Sequence, residues 1–142
     1  MQIRKMKVED ATAIADLLTQ MGYPDTAAFL PAKIERLNRL DQERLLVVEL
    51  EGRIVAFISL HIIPQLAVQG DFMRISYFAV DTAVRSQGIG KTVEEYVSAL
   101  ARQMGCDRIE LHSHHRRTKA HDFYFRQGYE EVSKYLVKYL KE

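Results

Sequence analysis

A short segment in the second half of the chain, residues 85–92, has the composition of an anion-binding loop. Its glycines carry no Cβ atom, so the backbone can approach a phosphate oxygen closely. If a helix begins there, its first amides lack acceptors within the helix, and the peptide dipoles add partial positive charge. Several such amides, each contributing about 1.5–3 kcal/mol to a charged group, would hold a pyrophosphate. The segment consists of Arg85, Ser86, Gln87, Gly88, Ile89, Gly90, Lys91 and Thr92.

The glycines also have a simpler explanation, because spaced glycines make ordinary tight turns. The surroundings favour the phosphate site, since an apolar run ends at Val80 before the segment and a helical pattern begins near Gly90. The glycine spacing differs from GxxxxGK followed by Ser or Thr, and also from GxGxxG. We therefore expect a phosphate-bearing ligand, and neither a P-loop nucleotidase nor a dinucleotide fold.

Length, composition and charge exclude several classes of protein. A chain of 142 residues with 47% apolar side chains suits one core, so we predict a single domain over residues 1–142. A formal net charge of +1 gives no general attraction to nucleic acid. No apolar run approaches the roughly 20 residues that span a bilayer, and the N-terminus does not resemble a secretory signal. With Cys106 as its single cysteine, we expect a cytoplasmic protein without nucleic-acid or membrane partners.

Hydrophobic periodicity predicts the elements that position the loop. The pair Glu51-Gly52 between two apolar runs predicts a tight antiparallel hairpin. A strand, a helix and another strand over 72–112 favour a right-handed crossover between parallel neighbours. A mixed sheet with helices on its faces, an α/β fold, satisfies both requirements. Helices are expected over 11–21, 31–40, 90–104 and 118–127, and strands over 3–5, 44–50, 53–62, 72–80, 108–112 and 131–140.

Two segments in this order resemble the motifs of one family. The sequence from Arg85 to Gly90 resembles the pyrophosphate loop, R/Q-x-x-G-x-G/A, of the GNAT superfamily of N-acetyltransferases. The segment AHDFYFRQGY, from Ala120 to Tyr129, is similar to that family's A-x-x-F/L-Y-x-x-x-G-F/Y segment. The order of predicted elements also resembles the family. This resemblance implies an α/β fold in three layers, of the α+β type. Its mixed, V-splayed sheet is expected to have about six to seven strands, flanked by about four helices.

The resemblance implies how acetyl-CoA, the acyl donor, is held. In the family, the strand before the loop diverges from its parallel neighbour, and the pantetheine arm enters the gap and pairs with the strand. By position, the backbone groups that pair with it belong to Phe78, Ala79 and Val80. Residues 85–92 then surround the diphosphate. Arg117 stands where many members have an asparagine, and it is a candidate contact for the CoA 3′-phosphate.

Tyr124 occupies the position of a tyrosine in the family motif. The resemblance implies that this tyrosine is a general acid for the leaving CoA thiolate. A free thiol has a pKa near 8.5 and a phenol about 10, so full proton transfer is uphill by roughly 2 kcal/mol in water. Tyr124 is therefore expected to donate a hydrogen bond as much as a proton. The alternative role is that of a core aromatic beside Phe123 and Phe125.

The sequence does not identify the base that deprotonates the acceptor amine. The family often has a glutamate in the strand before the loop, and Ser76 stands at that place. Serine is not a base, so His112 is our candidate and His61 the second one, although each is also explained as an ordinary polar or packed histidine. The same departure leaves an alternative function open, that of a domain that binds or senses acyl-CoA without catalysis.

Three other segments allow further interpretations: a metal site, an acyl-cysteine intermediate and a homodimer. The run 112–117 is rich in imidazole, but adjacent histidines without cysteine or carboxylate lack a fixed coordination spacing, so we expect no metal. Cys106 has no visible base beside it, which favours direct attack by the amine over an acyl-cysteine.

No motif specifies the acceptor, which we expect to be a small-molecule or peptide amine. The apolar tail from Tyr135 to Leu140 leaves a homodimer open.

Overall fold

The computed structural model divides the chain into two compact units, Met1–Leu111 and His112–Glu142. The first unit holds a five-stranded sheet and three α-helices, and the second begins with one α-helix. Among the described residues, no helix is both long and apolar enough to cross a lipid bilayer. The residues that the structure describes are 1–85, 87–113, 117–132 and 134–141.

The helices and strands follow the predicted order closely. Two short 3-10 turns, Val8–Asp10 and Thr82–Val84, were not predicted, because three residues are too few to show a period. In chain order the elements are β1 (Gln2–Lys5), α1 (Ala11–Gln20), α2 (Leu30–Asn38), β2 (Glu43–Leu50), β3 (Arg53–Ile63), β4 (Asp71–Val80), α3 (Ile89–Gln103), β5 (Cys106–Leu111) and α4 (Thr118–Arg126).

The turn between β2 and β3 has the backbone geometry that its sequence predicts. Glu51 and Gly52 both have positive φ angles, 53° and 74°. Two consecutive residues of this kind form the type I′ turn, whose twist matches that of the flanking strands. The antiparallel hairpin is therefore confirmed, and it forms the middle of the sheet.

The sheet is mixed, as predicted, in the order β1-β2-β3-β4-β5. The first three pairings are antiparallel, and β4 pairs with β5 in parallel. The prediction of a strand over 131–140 is wrong, because the described residues of that segment form no strand. Its side chains alternate in the sequence, yet Val132, Leu136 and Leu140 are more than four-fifths exposed. A strand also requires a partner for its backbone, which alternation alone does not supply.

Helices α1 and α2 cover one face of the sheet. Since side chains alternate along a strand, Ile58 and Leu60 of β3 belong to the opposite face, and both are buried. Helix α3, which connects β4 to β5, covers this opposite face, and its Val93 and Val97 are buried. The cluster on the first face contains Met6, Ala11, Ile14, Leu17, Leu18, Leu30, Ile34, Leu45, Val47, Phe57 and Ala79.

Candidate functional site

Strand β4 separates from β5 halfway along its length. On one side it pairs with β3 up to Ala56↔Val80. On the other side its pairing with β5 ends at Ile75↔Leu111, where β5 itself ends. The last five residues of β4 therefore continue beyond the end of β5.

A β-bulge lies where this separation begins. Ser59 pairs with Tyr77 and Leu60 pairs with Ile75, so Ser76 is one extra residue in β4. A bulge bends its strand and increases the local twist, so β4 changes direction at the point where its pairing with β5 stops. The exposed Ser76 thus has a structural role that its place in the motif did not indicate. A lone small polar residue within an apolar strand is the sequence signal that could have predicted it.

Helix α3 begins at a glycine with a left-handed backbone. Gly88 is its N-cap, with φ 77° and ψ 9°, and no atom lies within 4 Å of the position that a Cβ would take. Among the described residues no side chain caps this helix. The amide and hydroxyl of Thr92 donate to the Gly88 carbonyl, at 3.1 and 3.0 Å. The amides of Ile89, Gly90 and Lys91 come before Thr92 in the chain. The first amides of a helix have no acceptor within the helix.

The segment between β4 and α3 is tied back to the sheet. The exposed Arg85 donates from Nε to the Val80 carbonyl at 3.2 Å, so its guanidinium lies at the end of β4. Asp81 accepts from the Ala83 amide at 3.0 Å and thereby caps the 3-10 turn. Gln87 is exposed, and Ser86 lies outside the described residues. A cationic group and a helix start therefore follow the splayed end of β4 directly.

Helix α1 also holds the beginning of this segment. The Gln20 side-chain carbonyl accepts from the Thr82 amide at 2.9 Å, and its amide group lies 3.5 Å from Oδ1 of Asp81. The Asp81 amide donates to the Val55 carbonyl at 2.8 Å. A cavity of about 260 Å³ lies beside these contacts, and its lining residues are Ala13, Asp16, Leu17, Gln20, Arg53, Ile54 and Asp81.

In the second unit, Tyr124 lies on α4 between two other aromatic rings. Its ring centre is 5.2 Å from that of Phe123 and 5.3 Å from that of Tyr129, both at steep angles. The Tyr129 amide donates to the Tyr124 carbonyl at 3.0 Å, which fixes the turn after the helix. Tyr124 is half-buried, whereas Arg117, the N-cap of α4, is exposed. The predicted tyrosine is therefore held by packing on both sides.

The two candidate histidines have different surroundings. The exposed His112 stacks on Tyr135, with ring centres 4.3 Å apart and an interplanar angle of 29°. His61 lies on β3, and its Nδ1 is 2.7 Å from Oε1 of Glu43 on β2. The remainder of the imidazole-rich run, residues 114–116, lies outside the described residues. Among the described residues, no cluster of three or more histidine, cysteine, aspartate or glutamate side chains could hold a metal ion.

The sheet face that carries His61 has further polar and aromatic groups that the sequence did not single out. Tyr77 of β4 contacts Tyr23, in the loop after α1, edge to face at 5.4 Å between ring centres. Arg74 of β4 donates from Nε to Oε1 of Glu110 on β5 at 2.9 Å. Each of these contacts joins residues that are distant in the sequence, so spacing alone could not reveal them.

The single cysteine is poorly suited to covalent catalysis. Burial raises the pKa of the Cys106 thiol above its usual value, and the carboxylates of Asp71 and Asp107 raise it further. A thiol that keeps its proton is a weak nucleophile. This favours direct attack of an amine on the thioester.

Comparison with known proteins agrees with this geometry. The model of the acetyltransferase (GNAT) family matches residues 11–129. The chain belongs to this family and is an acyl-CoA-dependent N-acetyltransferase. The fold and the function predicted from the sequence are thereby confirmed.

Two curated relatives and one solved structure illustrate the similarity. The chain is 28% identical over 140 residues to the uncharacterized N-acetyltransferase YhfO of Bacillus subtilis, covering 92% of this chain and 91% of that protein. It is 34% identical over 80 residues to an aminoalkylphosphonate N-acetyltransferase of Salmonella typhimurium, covering 56% of this chain and 52% of that protein. The crystal structure of a GNAT family acetyltransferase from Staphylococcus aureus superposes with a TM-score of 0.83 at 20% identity, over 98% of each chain.

Proposed function

We propose that this protein binds acetyl-CoA along the splayed end of β4 and transfers its acetyl group directly to a primary amine. The observation that carries the proposal is the end of β4–β5 pairing at Ile75, which leaves the last five residues of β4, on the way to α3, without a parallel neighbour. An extended, amide-bearing pantetheine arm can add to such an edge as a short strand. The backbone that would pair with it belongs to Phe78, Ala79 and Val80.

The diphosphate of the coenzyme is proposed to bind at the start of α3. Gly88 leaves open space above its backbone, and the first amides of the helix point toward a ligand at this end. Arg85 supplies a cation at the end of β4, and Lys91 a second one in the first turn of α3. We assign Ser86 and Gln87 to the same loop. The exposed Arg117, which stands where many family members have an asparagine, is proposed as a cationic contact for the CoA 3′-phosphate.

The chemical step is proposed to be direct aminolysis of the thioester. The amine nitrogen forms a bond to the acetyl carbon and loses a proton to a base, and the C–S bond then breaks. Tyr124 donates a hydrogen bond or a proton to the departing sulfur, a role supported by its place in the family motif. We expect no metal to take part, because the adjacent histidines of the 112–117 run lack a fixed coordination spacing.

The acceptor is a small-molecule or peptide amine. Tyr23 and Tyr77 supply aromatic surface on the sheet face from which such a molecule would approach β4. We further propose a cytoplasmic protein, for which the single unpaired cysteine is the support. Neither nucleic acid nor a membrane is a proposed partner, since the net charge is only +1.

An assay of CoA release on a panel of amines tests the proposal. The panel contains a lysine peptide, a peptide N-terminus, a polyamine, an aminoglycoside and an aminoalkylphosphonate, the last because the relative 34% identical over 80 residues carries that name. We expect at least one amine to release CoA and to be recovered with one added acetyl group by mass spectrometry. Calorimetry is expected to give tighter binding of CoA than of ATP.

Two results would contradict this function. Tight binding of CoA without turnover of any amine would favour a domain that binds or senses acyl-CoA. Tighter binding of ATP than of CoA would mean that the loop at the start of α3 serves a different nucleotide.

A further inference from the structure

Direct attack on the thioester requires a group that removes a proton from the acceptor amine. Ser76 stands where the family often has a glutamate, and a hydroxyl does not serve as that base. The bulge makes Ser76 a bend in β4 instead. The base must therefore come from another strand that lies beside the splayed end of β4.

Strand β3 brings His61 close to the start of this segment, opposite Arg74 and just before the bulge. Ser59 pairs with Tyr77, the residue that follows the bulge. Because alternate residues of a strand share a face, His61 lies on the same face as Ser59, about 7 Å further along β3. Phe57 and Ala79 belong to the cluster covered by α1 and α2, so this is the face below those helices. His61 lies farther along that face, and its side chain is 39% exposed.

Glu43 lies at ion-pair distance from the His61 ring, although Nδ1 of His61 makes no hydrogen bond among the described residues. The two residues are register partners in the β2–β3 pairing, and Oε1 of Glu43 lies 2.7 Å from Nδ1 of His61. The Glu43 side chain is only 15% exposed. When the ring turns so that Nδ1 donates to this carboxylate, the other nitrogen, Nε2, carries no proton and can accept one.

The other charged groups on this face balance one another. Arg74 of β4 is the register partner of His61, but its guanidinium is bonded to Glu110 of β5. The groups that face His61 from the neighbouring strands are thus one carboxylate in direct contact and one neutralised ion pair. The described contact of His112, a stack on Tyr135, supplies no carboxylate.

We propose that His61 takes the proton of the acceptor amine and that Glu43 is the positioning residue that holds its ring. This inference rests on the proposed function. In the step, the proton moves from the amine to Nε2 of His61, directly or through one water, while the amine nitrogen bonds to the acetyl carbon. The C–S bond breaks, and the sulfur leaves with a proton donated by Tyr124.

Steady-state kinetics of three variants test this role, with the amine that the wild-type protein acetylates best. We expect His61→Gln to lower kcat about 10²–10⁴-fold, the usual contribution of a general base, with an unchanged KM for acetyl-CoA. Glu43→Gln is expected to lower kcat by a smaller factor, again without changing the KM for acetyl-CoA. Glu35→Gln is the matched control, because it removes an exposed carboxylate that is paired with Arg39 on the surface of α2.

A chemical rescue separates the catalytic role from a structural one. Added imidazole is expected to restore part of the kcat of His61→Ala and to leave the wild-type protein and Glu35→Gln unaffected. The Glu43→Gln variant keeps the histidine, so it tests the pair even if replacement of His61 impairs folding. Thermal melting of each variant identifies any loss of folded protein.

The outcomes distinguish this inference from the function on which it rests. Wild-type kcat in both His61→Gln and Glu43→Gln would overturn the inference and leave the proposed function intact. A large loss in His112→Gln, with none in His61→Gln, would assign the base to His112 instead. Failure of the wild-type protein to turn over any amine while it binds CoA would overturn the proposed function itself.

Discussion

At the scale of single residues, we propose that Gly88 allows a ligand to approach the start of α3 closely. Its left-handed backbone is costly for a residue with a side chain, and the space above it is open. Ile89 and Gly90 follow with the first amides of the helix. A methyl group at position 88 would enter the same space that a phosphate oxygen needs.

We expect Gly88→Ala to raise the KM for acetyl-CoA at least tenfold, because it places a Cβ against the diphosphate. The left-handed backbone also costs about 1–2 kcal/mol of stability. Gly52→Ala is the matched control, since Gly52 has nearly the same φ angle, 74°, and open space within 4 Å of the position that its Cβ would take. The control is expected to lose similar stability and keep its KM for acetyl-CoA. Equal KM values in the two variants would argue against a diphosphate at Gly88.

Tyr124→Phe removes the proposed donor to the leaving sulfur and preserves the ring packing against Phe123 and Tyr129. We expect kcat for CoA release to fall about 10–100-fold, which corresponds to the loss of one hydrogen bond to a charged group. The KM for acetyl-CoA should change little. Tyr129→Phe, which also loses one hydroxyl, is the control, and an equal loss of kcat in both variants would contradict the special role of Tyr124.

At the scale of secondary-structure elements, the position of the coenzyme loop depends on α1. The Gln20 side chain bonds the Thr82 amide and approaches Asp81, two residues that begin the segment between β4 and α3. We expect Gln20→Ala to raise the KM for acetyl-CoA about 2–10-fold, the value of one hydrogen bond, without changing the KM for the amine. In the control, Thr19→Ala, only a bond within α1 to the Ala15 carbonyl is lost. An unchanged KM in Gln20→Ala would mean that the segment holds its position without α1.

The junction between β1 and α1 gives the fold a pH-dependent contribution to stability. The side chain of Asp10, 7% exposed, accepts two hydrogen bonds from Arg4, at 2.9 Å each, and one from the Lys7 amide at 2.7 Å. The Arg4 hydrogen bond lowers the pKa of Asp10, the Lys7 amide lowers it further, and burial opposes both. Because the folded pKa lies below the unfolded value of about 3.9, the contribution is full above that value and is lost as pH falls.

We therefore expect Asp10→Asn to destabilise the protein by about 1–3 kcal/mol at pH 7, because the Arg4 hydrogen bonds lose their charged acceptor while Arg4 keeps its contact with Glu49. The difference in free energy of unfolding between the two proteins should shrink as the pH falls below about 4. Urea denaturation at several pH values measures it. A difference that is independent of pH down to pH 3 would contradict the assignment of this effect to the Asp10 carboxylate.

At the scale of the whole molecule, we propose that the apolar tail pairs with a second copy of the chain. Leu136, Tyr139 and Leu140 are each more than four-fifths exposed. Among the described residues β5 is an edge strand of the sheet, and an edge offers backbone groups for pairing. Sedimentation at micromolar concentration is expected to give a dimer for the wild-type protein and a monomer for Leu136→Lys/Leu140→Lys. A wild-type monomer would contradict the pairing.

Much of the fold and part of the site follow from the sequence because they depend on near neighbours. The turn at Glu51 and Gly52, the ends of the helices and the glycine start of α3 are set by residues within a few positions. The order of these elements and the two family motifs were enough to predict a mixed sheet and an acetyl-CoA-dependent transferase. The catalytic role of Tyr124 is predicted in the same way, through its motif.

Tertiary structure alone decided which distant groups meet. The end of β4–β5 pairing at Ile75 and the bulge at Ser76 are properties of register, which no local pattern encodes. The contact of His61 with Glu43 joins positions that only strand pairing brings together. For the same reason the alternating tail did not form the predicted strand. Periodicity fixes which side chains share a face, whereas the partner that a strand meets depends on the folding of the entire chain.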